Sequence, residues 1–294
     1  MILQESYLLP DGTRLPRLGL GTWCIADAHA AQAVREAVRV GYRMIDTAQA
    51  YANERGVGEG VLDCGVPRGE LFVASKVAAE HKTYEDAARS IDESLERMGL
   101  DYLDQMIIHS PQPWREFRGE KRYYEENRAV WRALEDAQAA GKVRVIGVSN
   151  FLEDDLRQLL PACRVRPMVN QILLHISNTD RALLSFCRAQ GIQIEAYSPI
   201  AHGVALQNPV IGAMAERYGV TAAQLCVRYV LQLGAVALPK TENPGHMAEN
   251  AAVDFSISQA DMDVLETVDK IESYGAFNGF PVFGKSIRGK EQQA

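Results

Sequence analysis

Apolar residues recur along the chain in two alternating patterns, a helical stripe and a short unbroken run. Ala30, Ala33, Val34, Ala37 and Val38 form a stripe that Gly41 stops before RMID, and Ala88, Ile91, Leu95 and Met98 form another, closed by Gly99 before YLDQMIIH. Val130, Leu134 and Ala137 precede Gly141 and KVRVIGVSN. Leu183, Leu184 and Cys187 precede Gly191 and IQIEAYS, and Leu225, Tyr229 and Leu233 precede Gly234 and AVALPK. The stripes follow the 3.6-residue period of an amphipathic helix, and each glycine falls where a left-handed residue ends a helix at least cost. The unbroken runs read as strands covered on both faces. With LGLG near residue 18, ELFVAS near 71 and PMVN near 167, the strands number eight. Eight strands alternating with helices predict an α/β protein, a (β/α)8 TIM barrel. The segment from Leu3 to Leu15, with its Asp11-Gly12 turn, predicts an N-terminal hairpin that plugs the barrel bottom. An open doubly wound sheet is the competing architecture, but GLGTWC and GVGEG both miss the spacing of a strand-following GxGxxG loop.

Composition narrows the picture. The 294 residues carry 31 Lys+Arg against 38 Asp+Glu, a net charge of −7, with 47% hydrophobic residues. A barrel of this length folds as one unit, so the expectation is a single domain over 1–294. The acidic balance, with no basic stripe, points away from nucleic acid. No apolar run is long enough for a membrane span, and MILQESYLLPDGTR has no signal-peptide core. Cys24, Cys64, Cys163, Cys187 and Cys226 are scattered and odd in number, as expected of reduced thiols in a cytoplasmic protein. The absence of an obvious apolar patch favours a monomer.

Barrel enzymes build their sites at the carboxyl ends of the strands. Thr22, Asp46, Lys76, His109, Asn150, Gln171, Tyr197 and Lys240 each follow directly on an apolar run. Any one of them could simply begin a polar loop. Together, an acid, two lysines, a histidine, two carboxamides and a tyrosine make a candidate site.

The local strings add a family. The sequence resembles the aldo-keto reductases through LGLGTW (18–23), YRMIDTAQAYANERGVGEG (42–60), ASKV (74–77), LDQMIIHSP (103–111), IGVSNF (146–151), VNQILLH (169–175), AYSPIAHG (196–203), and LPKT with AEN (238–250). The resemblance implies an oxidoreductase that reduces the carbonyl of a small aldehyde or ketone with NADPH. The family's tetrad falls on Asp46, Tyr51, Lys76 and His109. The chemistry agrees. No His, Cys, Asp or Glu constellation has metal-ligand spacing, so the proton for a developing alkoxide falls to a side chain. A tyrosine with a pKa near ~10 is a poor acid at neutral pH. A neighbouring Lys76 ammonium, oriented by Asp46, is expected to lower that pKa, and His109 to hold the substrate oxygen.

The resemblance also places a cofactor. It implies that Thr22 and Asp46 lie at its reactive end, that Ser149, Asn150 and Gln171 bind the nicotinamide carboxamide, and that Tyr197 stacks on the ring. Ser198, Pro199 and Ile200 would follow the pyrophosphate. Lys240 and Thr241 match the 2′-phosphate position, and Glu249 and Asn250 match the adenine contacts. His246 stands where the family usually has an arginine, and histidine lacks the bidentate fork, so NADPH is expected to be preferred over NADH by a reduced margin. Ser110 and Leu173 also depart from the family pattern, on the substrate side. Trp23 and Trp114, with Tyr51 and His109, are expected to face the substrate, and the aromatic tail from Tyr274 to Phe283 is a candidate C-terminal closing loop. Arg115, Arg118, Lys121 and Arg122 form a basic cluster read as solvated surface charge. Two competing readings stay open: an NADPH-binding regulatory barrel without turnover, and a hydrolase using Asp46 and His109.

Overall fold

The computed structural model describes residues 1–284. Among the described residues, ten strands form in chain order. β1 (Ser6–Leu8) and β2 (Arg14–Pro16) pair antiparallel, Ser6 against Pro16, with the turn relaxed by Gly12 at φ +87°. The remaining eight are β3 (Leu20–Gly21), β4 (Met44–Asp46), β5 (Phe72–Val77), β6 (Leu103–Ile108), β7 (Val143–Ser149), β8 (Val169–Leu173), β9 (Gln193–Tyr197) and β10 (Val236–Leu238). They lie in sequential order in one parallel sheet. Bridges from Leu18 to Ala237 and from Gly21 to Lys240 join its two edges. The sheet closes into the TIM barrel that the alternating pattern predicts.

The helices are α1 (Asp27–Val40), α2 (Glu54–Asp63), α3 (Tyr84–Met98), α4 (Tyr124–Ala139), α5 (Glu153–Leu159), α6 (Arg181–Ala189), α7 (Pro209–Tyr218), α8 (Ala222–Gln232), α9 (Pro244–Ala251) and α10 (Gln259–Glu266). Gly41, Gly99, Gly141, Gly191 and Gly234 all have positive φ just past a helix, in the role the sequence assigns them. Their buried stripes pack on the outside of the barrel, where Val34, Ile91, Leu134 and Val230 are fully covered. No helix among the described residues is long and apolar enough to cross a membrane.

A second apolar cluster fills the barrel floor. Leu9 and Leu15 from the hairpin join Met44, Phe72, Ile107, Val145, Val236 and Leu238 from the strands. The hairpin therefore plugs the amino-terminal end of the barrel.

α2, α5, α7, α9 and α10 lie outside the apolar stripes read from the sequence, and α2 shows why. α2 carries Gly56, Gly58 and Gly60, which by propensity read as loop. Packing explains them. A Cβ on Gly56 would lie 2.2 Å from Asp27 O of α1, and one on Gly58 would lie 2.1 Å from Met98 O of α3. Both obstacles are backbone, which cannot swing aside. Gly58→Ala gains about 1 kcal/mol of helix propensity but forces the helices apart at a cost of about 3 kcal/mol. The expected result is a net loss of stability and a lower midpoint in thermal or urea unfolding; an unchanged midpoint would refute the tight packing.

Candidate active site

β4 and β5 end side by side, with Asp46 in register with Ala74, which brings Lys76 over the barrel mouth. Lys76 is fully buried, and its Nζ donates to Asp46 Oδ1 at 2.9 Å, Asp46 Oδ2 at 2.7 Å and Thr47 O at 2.7 Å. All three ammonium hydrogens are thereby used. Tyr51 ends a single 3-10 turn after β4, and its ring lies 4.8 Å from Lys76 Nζ and 5.5 Å, edge-on, from the His109 ring. The four residues come together, and Tyr51, His109 and Asp46 line one cavity of about 300 Å³.

The electrostatics differ from the expectation in one respect. Burial, followed by the Asp46 and Cys24 charges, pushes the Tyr51 phenol well above its ordinary value. The Lys76 ammonium, already bonded to Asp46, does not outweigh these effects. Tyr51 therefore holds its proton firmly at neutral pH. Among the described residues none hydrogen-bonds the Tyr51 hydroxyl, which leaves it to a ligand. Burial and then the Lys76 charge hold His109 well below the usual histidine range, so its imidazole is neutral. Its Nδ1 is buried without a hydrogen-bond partner.

Around the mouth, Asn150 Nδ2 donates to His109 O and to Ser149 Oγ, both at 3.0 Å, while Tyr197 Oη donates to Asn150 Oδ1 at 2.7 Å. Ser149, Asn150, Gln171, Tyr197, Ser198, Pro199, Ile200 and Lys240 line the same cavity as the tetrad. Ser198, Ala201 and His202 all have positive φ in the loop after β9, a backbone bent around that cavity. Thr22 lies elsewhere. It is fully buried, with Oγ1 donating to Asp46 O at 3.0 Å, so it braces the acid from behind.

Of the proposed adenosine end, Lys240 lines the cavity, whereas Thr241, His246, Glu249 and Asn250 do not. Thr241 is buried and its Oγ1 accepts from Asn243 N at 3.0 Å, beside the α9 N-terminus. Along α9, Asn250 is buried, Glu249 half-buried and His246 exposed. Lys240 Nζ meets Glu242 Oε1 at 3.2 Å, and Glu242 Oε2 meets His29 Nδ1 at 3.3 Å, so the lysine already has an acidic neighbour. A hydrogen-bonding set of amides and hydroxyls, an aromatic plate at Tyr197 and a cation near a helix N-terminus fit a nicotinamide dinucleotide.

The substrate side is aromatic. Trp114 stands 5.1 Å from the His109 ring and 4.9 Å from Phe280. Trp23 packs on Phe277, Phe280 and Phe283 at 5.3–5.9 Å. The tail therefore forms a wall of the cavity. His202, which the sequence reading did not single out as a site residue, stacks on Phe277 at 4.1 Å and is also in the wall. Ser110 is fully buried and lies behind the wall, and Leu173 is half-buried at the end of β8. The basic cluster is mostly paired. Arg122 binds Asp155 at 2.9 Å, Arg118 approaches the same carboxylate at 3.8 Å, and Lys121 binds Glu126 at 3.1 Å.

Sequence reasoning also misses the supports beneath the tetrad. Asn53 accepts from Thr47 Oγ1 at 2.7 Å and donates to Thr22 O and Ile25 O. Gln49 Oε1 accepts from Ala78 N at 2.8 Å. These side chains tie the Asp46–Tyr51 turn to β3 and β5. Their signal is the buried polar residue inside a short loop, which only a structure reveals.

Comparisons with known proteins show the family. Residues 17–271 match the model of the aldo/keto reductase family. The chain is 41% identical over 275 residues to a glyoxal reductase of Bacillus subtilis (strain 168), covering 93% of this chain and 96% of the relative. It is 40% identical to a morphine 6-dehydrogenase of Pseudomonas putida, covering 89% and 90%. Among solved structures, an aldo-keto reductase of Bombyx mori in complex with NADP superposes with a TM-score of 0.83 at 29% identity, covering 95% of this chain and 98% of that one. The chain belongs to the aldo/keto reductase family and is an oxidoreductase built on a TIM barrel.

Proposed function

We propose that the protein reduces the carbonyl of a small aldehyde or ketone, with Tyr51 as the proton donor and NADPH as the reductant. The observation that carries this reading is the convergence of a protonated phenol and a neutral imidazole on one cavity, above a buried ion pair. The cofactor is NADP(H), and when bound it supplies the hydride.

The chain's own residues do the rest. Ser149, Asn150 and Gln171 offer amide and hydroxyl groups to the nicotinamide carboxamide, and Tyr197 offers a flat ring face. The substrate oxygen sits between the Tyr51 hydroxyl and His109. A neutral imidazole can donate one N–H to that oxygen without giving up a proton, which orients the carbonyl and stabilises the growing negative charge. As the oxygen becomes an alkoxide, a far stronger base than a phenolate, Tyr51 gives up its proton even with its pKa raised. The phenolate left behind has the Lys76 ammonium as its neighbour, with Nζ 4.8 Å from the centre of the Tyr51 ring, and their attraction grows only as the charge forms. The aromatic wall of Trp23, Trp114 and Phe280 excludes water.

Mixing the protein with NADPH and a panel of aldehydes, ketones, keto-acids and keto-sugars, glyoxal among them, tests the reading. Loss of reduced-nicotinamide absorbance with at least one of them is expected. Tight NADPH binding with no turnover on any of them would favour a regulatory binding module instead.

Cofactor preference has its own expected outcome. With His246 exposed and Lys240 held by Glu242, the kcat/KM advantage of NADPH over NADH is modest, about tenfold or less. Glu242→Gln frees the lysine and should widen the ratio by tightening NADPH alone. Equal ratios in the two proteins would show that the Lys240–Glu242 pair does not shape the preference.

A further inference from the structure

A second carboxyl group lies under the tetrad, and nothing in the mechanism above uses it. Glu195 is fully buried on β9, in register with Gln171 on β8. Gln171 Nε2 donates one hydrogen to Asp46 Oδ1 at 2.9 Å and the other to Glu195 Oε2 at 2.8 Å. Gln105, from β6, donates from its own Nε2 to the same Glu195 Oε2 at 3.0 Å. One carboxamide thus bridges two buried carboxyl groups.

The charge count is unbalanced. Lys76 is the cation of this layer, and its three hydrogens go to Asp46 and to Thr47 O. No ammonium or guanidinium is paired with Glu195 among the described residues. An unpaired buried carboxylate is costly enough that the group takes up a proton instead. Two further atoms point the same way: Glu195 Oε1 and Gln105 Oε1 are both buried and both without a hydrogen-bond partner. If both carry only lone pairs, neither can satisfy the other. A proton on Glu195 Oε1 turns that orphaned atom into a donor and removes the unpaired charge, while Oε2 keeps both amide bonds.

We propose that Glu195 is a neutral carboxylic acid that acts as a positioning residue, holding the Gln171 amide so that it steadies Asp46 below and presents its oxygen to the cavity. This rests on the reading of Tyr51, Lys76 and Asp46 as the catalytic group. The charged groups that reach Glu195 are Asp46 from β4, which opposes its ionisation, and Lys76 from β5, which favours it. β6 and β8 contribute the neutral Gln105 and Gln171, and β10 brings only Val236, Ala237 and Leu238. Burial, with the Asp46 charge behind it, pushes the Glu195 carboxyl up to about 7. Ionisation above that point places a second negative charge beside the Lys76–Asp46 pair, and this opposes phenolate formation at Tyr51.

Glu195→Gln is the informative variant, because an amide oxygen at 195 can keep the bonds from Gln105 and Gln171 but the group cannot ionise. Three measurements on the full-length protein follow. Infrared difference spectra at about pH 6 should show a buried protonated-carboxyl stretch that the variant lacks. From about pH 6 to about pH 8, wild-type kcat/KM should fall several-fold while that of the variant stays flat. Thermal stability gives the third. A raised carboxyl binds more protons folded than unfolded, so the wild type loses stability between the unfolded value of about 4.5 and the folded value of about 7. Glu195→Gln should therefore gain in midpoint relative to the wild type across that window. Absence of the infrared band overturns the neutral acid. A band with identical pH–rate profiles overturns the positioning role. A protein that shows the band and the stability shift but turns over no carbonyl would instead refute the proposed reaction.

Discussion

Lys76→Met should abolish turnover and also destabilise the fold. Among the described residues the lysine is the only cation bonded to Asp46, and Asp46 is 4% exposed. Removing one partner of a buried ion pair leaves the other charge uncompensated, at a cost of about 3–5 kcal/mol. For a chain of this size, that corresponds to roughly a 10 °C fall in the unfolding midpoint. Activity falls for a separate reason. Without the ammonium, the phenolate that forms on Tyr51 has no counter-charge in a low-dielectric site, and a drop of about 10³-fold in kcat is expected. The two effects separate in the double variant Asp46→Asn with Lys76→Met. It removes both charges, so most of the lost stability should return while activity does not. Scanning calorimetry beside steady-state rates checks both halves. A double variant as unstable as the single one would mean that Lys76 matters for packing and not for charge.

Tyr51→Phe should have the opposite signature, nearly silent in stability and severe in rate. None of the described residues depends on the Tyr51 hydroxyl for a hydrogen bond, so its loss strands no buried partner. The ring remains against Lys76 and His109. The reaction, however, loses its proton source. General-acid catalysis contributes about 10²–10⁴-fold, and kcat should fall by that amount. NADPH affinity, read by titrating cofactor fluorescence, should stay within about twofold, because most of the proposed cofactor contacts lie at the ends of β7, β8, β9 and β10 and along α9, not on this turn. A kcat near that of the wild type would transfer the proton to another group, with His109 first in line.

The barrel and three residues of the tetrad are legible in the sequence for the same reason, while Tyr51 is marked only by the family resemblance. A strand buried on both faces must be a continuous apolar run, and the residue that ends it must be polar. Asp46, Lys76 and His109 are therefore marked by position as well as by type. α2 is not legible, because Gly56, Gly58 and Gly60 argue against a helix on local propensity alone. Only the close approach of α1 and α3, a tertiary fact, makes three glycines the right residues for a helix there. The Gln105–Glu195–Gln171 layer is hidden for a related reason. Each of its members sits within an apolar strand at an inward position, and which three meet depends on the stagger of a closed barrel. The direction of the Tyr51 shift is also beyond the sequence. The spacing places a lysine near the phenol, but not the three acceptors that consume its hydrogens.

The central claim, that the phenol of Tyr51 delivers a proton as hydride reaches the carbonyl carbon, is tested most directly by stopped-flow kinetics. The protein, loaded with NADPH, is mixed with a carbonyl substrate in H2O and in D2O, and the first-turnover rate of nicotinamide oxidation is read. The account predicts a slower first turnover in D2O, because the Tyr51 O–H bond breaks in that step, and a first turnover in Tyr51→Phe that is slower still by about two to four orders of magnitude. Equal rates in the two solvents, together with an unimpaired Tyr51→Phe, would contradict it.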